Sequence, residues 1–387
     1  MVPIKYNIRS LRARWVSSLM TVLGTALVVW AVVLTFGLAD GLDHTLAVSG
    51  EPLDLIVMRK GATAETNSII NESTAREMAA LDGIASDANG DKICSPELVV
   101  VVNTPRRAGN TSANMIIRGV TPLAREVRSN FKLVAGRENK PGVREAISSR
   151  QMANRFSGAG LDEELDIFGN KFMIVGLFEA GHSATESEVW TDLEVLGQTT
   201  KRESIRSSMQ LRANSADDAL RLADRISSDE QFGLAALSEP AYFAEQAKSS
   251  MGIKAIGVFI AVILSIGAVF AVANTMYAAV ASRAREIGTL RALGFNRRTV
   301  LVSFMVESLT LCLAGGLLGC LAAIPLNGMS TGTANWVTFS ELAFDFRFGP
   351  SVQILAVIIV ATVGMLGGLF PALRATRMKI VDALREI

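Results

Sequence analysis

The chain has 387 residues, 50% of them hydrophobic, a mean hydropathy of +0.34 and a formal net charge of +1. That is too apolar for an ordinary soluble protein and too polar for a bundle of membrane helices alone, so spans must be joined to a sizeable soluble domain. Three cysteines exclude a disulfide framework, because Cys312 and Cys320 lie too far apart on one apolar helix and Cys94 stands alone.

The first segment, IKYNIRSLRARW, puts Ile4, Ile8, Leu11 and Trp15 on one arc of a helical wheel, with Lys5, Arg9 and Arg12 on the other side. This predicts an amphipathic helix over 1–15, lying along the inner leaflet. Residues 16–39 carry no charge and predict a first membrane span, longer than the apolar region of a signal peptide. From 40 to 250 the character becomes that of a soluble α/β domain. Strands are expected at 54–58, 98–102, 115–117 and 172–178, and helices at 73–81 and 216–226. An outer lobe over 50–91 and 206–245 is expected to hold a middle lobe over 92–205. Within the latter, strand and helix lead to a hairpin turning at Gly169 and Asn170.

The helix predicted from residue 240 runs on into a second span over 251–282. The charged knuckle RAREIGTLRALGFNRR follows at 283–298, then a third span over 299–325. In the knuckle Ala284, Ile287, Leu290 and Leu293 recur at helical spacing among Arg283, Arg285, Glu286 and Arg291. Gly294 suits the end of that helix, and Asn296 suits the N-cap of the next. By periodicity alone the knuckle either rests in the lipid headgroups or docks a soluble partner. Glu307 lies about two turns beyond Arg298, placed for an interfacial ion pair with it, although a membrane carboxylate is also a functional candidate. Gly315 and Gly319 in the third span, and Gly364 and Gly368 in the fourth, have the spacing that lets helices pack closely, within one chain or between subunits. The loop 326–349 turns apolar and aromatic in its second half. The fourth span, 350–373, is expected to stop at Pro371 and Arg374, before a tail over 374–387.

Charge sets the topology. Segments 1–15, 283–298 and 374–387 hold 13 Lys and Arg against three acids, while 40–248 holds 23 against 31. Basic flanks stay in the cytoplasm, so both termini and the knuckle are expected inside and the α/β domain outside. The basic clusters hug apolar spans without an aromatic platform, which favours membrane lipids and argues against nucleic acid. No GxxxxGK[ST], HExxH, CxxC or GxSxG occurs, so no cofactor, metal or catalytic residue is expected in the chain, and His182 with its scattered acids reads as ordinary surface.

The run RAREIGTLRALGFNRRTVLVSFMVESLTLCLAGGLLG, with the C-terminal FPALRATRMKIVDALREI, the basic N-terminal helix and part of the α/β domain, resembles the MacB/FtsX/LolC-type (type VII) permeases of ABC transporters. The resemblance implies an α-helical membrane protein with four transmembrane helices and a large α/β extracytoplasmic domain, MacB-like, inserted between the first two. It makes the knuckle a coupling helix that docks a cytoplasmic ABC ATPase, with Arg285, Glu286, Ile287, Leu290, Arg291 and Leu293 at the contact. ATP would be used by that partner, and this chain would be a non-catalytic permease in the inner membrane. A second permease copy or paralogue is implied, and a periplasmic adaptor and outer-membrane channel are left open. The function implied is extrusion or transfer of lipoprotein, peptide, toxin or lipid-like cargo. The alternative is an FtsX-like mechanical regulator of a cell-wall hydrolase or signalling partner.

Overall fold

A computed structural model describes residues 15–109, 111–248, 250–335 and 337–378. The expected amphipathic helix over 1–15, but for Trp15, and the tail beyond 378 lie outside the described residues. The chain divides into two compact units. One holds residues through Gly41, Gly252–Met329 and those from Phe346 on; the other holds Leu42–Met251 and Ser330–Asp345.

Among the described residues, four helices are long and apolar enough to cross a membrane: α1 (Trp15–Val48), α7 (Ser250–Ser282), α9 (Arg297–Ala323) and α10 (Pro350–Arg377). Between α7 and α9 lies the short α8 (Ala284–Ala292). Helix α1 runs past the apolar stretch to Val48, because Leu42 and Leu46 continue its buried stripe. Two expected ends are corrected. The helix predicted from 240 ends at Ala247, with Lys248 as its C-cap, and α7 begins afresh at Ser250. Helix α10 does not stop at Pro371 but reaches Arg377: the proline removes one backbone bond, yet Ala372 and Ala375 beyond it are fully buried, and that packing carries the helix on.

The glycines make intrachain contacts in this unit. A Cβ on Gly315 would overlap the Thr25 hydroxyl and the Val22 carbonyl, and one on Gly319 would stand 2.5 Å from the Ala26 carbonyl, so both seat α9 on α1. Gly364 faces Cys312 and Leu309, and Gly368 faces Ser308, seating α10 on α9. Ser308 Oγ donates to the Gly364 carbonyl at 3.0 Å, and Thr21 Oγ1 donates to Thr275 Oγ1 at 2.8 Å, tying α1 to α7.

The second unit is built on one ten-stranded sheet. In chain order its strands are β1 (Asp54–Arg59), β2 (Cys94–Pro105), β3 (Ser112–Val120), β4 (Lys132–Gly136), β5 (Glu145–Ser149), β6 (Glu164–Ile167), β7 (Asn170–Glu179), β8 (Glu188–Asp192), β9 (Ser208–Arg212) and β10 (Leu234–Ser238). They lie in the order β10-β1-β9-β2-β3-β8-β5-β7-β4, with β6 paired to β7; β3–β8 and β5–β7 are parallel and the rest antiparallel. The β6–β7 turn places Phe168 and Gly169 at positive φ, as a two-residue hairpin loop requires.

One apolar cluster lies under β1, β9 and β10 with α2 (Glu72–Ala79) and α5 (Ala216–Ser228). A second joins β2, β3 and β5–β8 with α3 (Arg150–Arg155) and α4 (Leu193–Thr200). The sheet runs through both by the β9–β2 pairing. Helix α6 (Glu239–Ala247) packs Tyr242 on Ile56 and Met58, on the opposite face. The loop between α9 and α10 forms a hairpin, β11 (Ser330–Asn335) and β12 (Ser340–Asp345). Ala343 enters the second cluster, and the buried Glu341 takes ion pairs from Arg106 and Arg155.

Candidate functional site

Helix α8 is anchored on one side and open on the other. Ala284, Ile287 and Gly288 are buried, Ile287 within the cluster that holds Val300 and Phe304 of α9. Arg285, Glu286, Thr289, Leu293 and Phe295 are exposed, and Leu290 is half-buried. Ile287, expected at the contact, is instead buried against the chain's own spans: the sequence pattern marks one apolar stripe, and the helix turns its first half inward while Leu293 at its end stays exposed. The Arg291 guanidinium donates to the Met378 carbonyl. The helix ends with Gly294 at φ +92°, Gly294 N–H bonding to the Arg291 carbonyl and Phe295 N–H to the Leu290 carbonyl, each at 3.1 Å. This double closure fixes the direction in which Leu293 and Phe295 leave the helix. Asn296 stands at the N-cap of α9 without a side-chain capping bond.

The partner of Glu307 is Arg283, not Arg298. Arg283 Nη1 and Nη2 reach the two carboxylate oxygens at 3.0 and 3.1 Å, and both side chains are buried. Arg298 is exposed. Nine residues separate it from Glu307 on one helix, about two and a half turns, so the two point to opposite faces. Arg283 caps the start of α8, so this bidentate pair ties the knuckle to α9.

The α/β unit holds an ionic cluster that no local pattern marks. Strand pairing puts Gln210, Ser208, Glu97, Arg118 and Glu188 on the sheet face opposite the apolar clusters. Arg118, 4% exposed, is bonded to Glu65 at 2.8 Å through both Nη atoms, to Glu188 at 2.7 Å and 2.6 Å, and to Glu97 at 2.6 Å. Arg128 pairs with Glu97 at 2.7 and 2.8 Å and lies 5.1 Å from the Trp190 ring centroid. Burial raises the Glu65 pKa, but the Arg118 charge and hydrogen bonds outweigh it and hold the carboxyl near 2. Glu239, at the first turn of α6, is pushed up to about 8 by burial and by the neighbouring Asp54 charge. These partners stand 21 to 70 residues from Arg118, which is why spacing alone does not reveal them. Among the described residues no group of His, Cys, Asp and Glu is arranged to hold a metal ion, and His182 Nδ1 sits 2.9 Å from Asp345.

Residues 18–229 match the MacB-like periplasmic core domain family, and 258–380 match the FtsX-like permease C-terminal family. The chain belongs to the MacB/FtsX-type ABC permease family. Among its relatives, the macrolide export ATP-binding/permease protein MacB of Rhodopirellula baltica is 36% identical over 135 residues, 35% of this chain and 18% of that protein. The uncharacterized ABC transporter permease YvrN of Bacillus subtilis is 37% identical over 116 residues, 30% of this chain and 26% of that protein. The matched stretches thus span about a quarter or less of these relatives. Among solved structures, the periplasmic region of MacB from Actinobacillus actinomycetemcomitans aligns at 13% identity and TM-score 0.37, over 50% of this chain and 91% of that one. The extracellular domain of the transporter YknZ from Gram-positive bacteria aligns at 14% identity and TM-score 0.36, over 48% and 99%.

In this permease the α8 knuckle and its Arg283–Glu307 tie fall inside the FtsX-like match. Glu65, Glu97, Arg118, Arg128 and Glu188 fall inside the MacB-like match, whereas Glu239 lies between the two matched segments.

Proposed function

We propose that this chain is the permease subunit of a MacB-like ABC transporter, with α8 docking a separate cytoplasmic ATPase and the α/β domain working outside the membrane. The observation that carries the reading is the asymmetry of α8. Its inner face is locked by Ile287 and the Arg283–Glu307 pair, while its outer edge exposes Arg285 in the first turn and an apolar tip, Leu293 and Phe295, at its end. A rigid helix with an apolar, charged edge can receive a push and pass it to α7 and α9 without melting. The basic flanks support a cytoplasmic position for this edge and for both termini, with the four helices crossing an inner membrane.

The α/β domain would be driven through the chain segments that enter it, α1, α7 and the β11–β12 hairpin. The relatives named for macrolide export support an exporting role; a lipoprotein, peptide, toxin or lipid-like molecule is the cargo class that the family resemblance implies. ATP is consumed by the partner, and a second permease copy or paralogue completes the pair.

Leu293 is 73% exposed, so Leu293→Asp leaves the fold intact. Loss of a central apolar anchor at an interface costs about 2 kcal/mol or more, roughly a thirtyfold loss of affinity. The expected result is loss of the copurifying ATPase and of permease-dependent ATP turnover, with Leu220→Asp, 72% exposed on α5, as an unaffected control. Normal assembly and turnover in Leu293→Asp would remove α8 from the interface.

A further inference from the structure

The polar face of the sheet borders a cavity of about 70 Å³, with Glu65, Arg118, Glu188, Gln210, Glu239 and Tyr242 in its wall. A buried water needs about 10–15 Å³ of such space, so the cavity has room for a group of several heavy atoms. Ser129 and Asn130, both exposed, stand at its rim, where Ser129 Oγ donates to Glu51 Oε1 at 3.0 Å.

Three features of the wall and of the charges packed behind it define what would fit. The guanidiniums are committed: Arg118 to Glu65, Glu97 and Glu188, Arg128 to Glu97, and Arg212 to Asp54 and the Val127 carbonyl. Glu239 has no such partner. It is 5% exposed and receives the Glu51 backbone N–H at 3.1 Å, and among the described residues no guanidinium is bonded to it. Gln210, 2% exposed, has an Oε1 with no hydrogen-bond partner among the described residues. A buried acceptor in that state costs free energy until a donor reaches it. The wall and the charges paired behind it hold five guanidiniums, Arg106, Arg118, Arg128, Arg155 and Arg212, against seven carboxylates, Glu51, Asp54, Glu65, Glu97, Glu188, Glu239 and Glu341, an excess of two negative charges once Glu239 ionises. An acceptor lacking a donor and a carboxylate bonded to no guanidinium line the same cavity, which calls for one group that is both donor and cation.

We propose that this cavity binds a primary ammonium group, donating to Gln210 Oε1 and neutralising Glu239. A primary ammonium has three donors on a small charged head, which suits an amide oxygen and a carboxylate together. The inference concerns the α/β domain alone and stands independently of what α8 docks. Glu239 is faced by Asp54 on β1, Glu97 on β2, Arg128 after the helical turn Ala124–Val127, Arg212 on β9 and the backbone of Glu51; Tyr242 shares its helix. Because burial and these charges place its pKa at about 8, a cation that requires the ionised form binds about tenfold more tightly at pH 9 than at pH 7.

The test uses the purified full chain in neutral detergent, with methylammonium chloride as the probe and choline chloride, which carries the charge without N–H donors, as the control. The expected result is a saturable rise in unfolding temperature with methylammonium only, about tenfold more sensitive at pH 9 than at pH 7. Gln210→Met removes the acceptor at nearly constant volume, and Glu239→Gln removes the charge. Each is expected to weaken the response at least tenfold, and Glu239→Gln also to abolish its pH dependence. No saturable response in the wild type, an equal response to choline, or an undiminished response in the variants would overturn the proposal. In vesicles with and without phosphatidylethanolamine, competition with methylammonium would support the site with a lipid headgroup as its ligand, and absence of competition would support it with a soluble amine.

Discussion

Arg118→Met is expected to destabilise the α/β domain by about 3–5 kcal/mol, the cost of leaving buried charges without their partner. One guanidinium serves Glu65, Glu97 and Glu188, and only Glu97 retains a second arginine, Arg128, when it is lost. Methionine fills most of the volume, so the loss is electrostatic and not a cavity effect. Its pH dependence separates the two. Glu65 titrates near 2 in the folded chain against an ordinary value of 4.5, so its stabilising contribution is present above 4.5 and fades as the pH falls toward 2. The deficit of Arg118→Met should accordingly shrink as the pH falls, first above 4.5, where burial makes the stranded carboxylates take up protons, and then toward 2, where the wild type loses the Glu65 contribution. Denaturant unfolding followed by tryptophan fluorescence, with Trp190 buried at 5.3 Å from Phe131 and 5.0 Å from Phe178, reads the effect. Adding Glu65→Gln and Glu188→Gln should recover much of the loss. A deficit under about 0.5 kcal/mol, the usual scatter of surface substitutions, would show that the cluster is not an internal ion network.

The second large effect is expected at Arg283 and Glu307. Breaking a buried bidentate pair from one side costs about 3–5 kcal/mol, and here the stranded charge would sit among membrane helices. Arg283→Met and Glu307→Gln should each release α8 from α9 and lower ATP turnover while the α/β domain stays folded. The exchange Arg283→Glu with Glu307→Arg should restore more activity than either half alone. If the double variant were as impaired as the sum of the singles, the two residues would not act as a pair.

The spans, the position of the α/β domain and the knuckle were legible because each rests on local signals: uncharged runs, a change of periodicity, and Gly294 closing a short helix. The strand at 172–178 and the helix at 216–226 were legible for the same reason, with observed ranges of Asn170–Glu179 and Ala216–Ser228. What the sequence hid is what depends on distant partners. Glu307 had arginines at both ends of the knuckle to choose from, and only the helical phase over nine residues excludes Arg298. The apolar stripe of α8 does not say which of its residues face a partner and which the chain's own spans; Ile287 packs with Val300 and Phe304, and Leu293 is exposed. The alternation SMQLR in β9 does imply a polar face, but nothing local says that this face is buried, or that Arg118 and Glu188, 70 residues apart, meet on it.

The central claim is that the outer edge of α8 meets an ATPase in the cytoplasm. Its most direct test is a cysteine cross-link in native membranes. Cys94 and Cys312 are buried and Cys320 is half-buried, so all three can be replaced by alanine and a single Leu293→Cys introduced. A short bifunctional reagent should then join this position to an ABC ATPase, and a membrane-impermeant thiol reagent should label it only from the cytoplasmic side. Labelling from the outside, or efficient cross-linking with no ATPase among the products, would contradict the account.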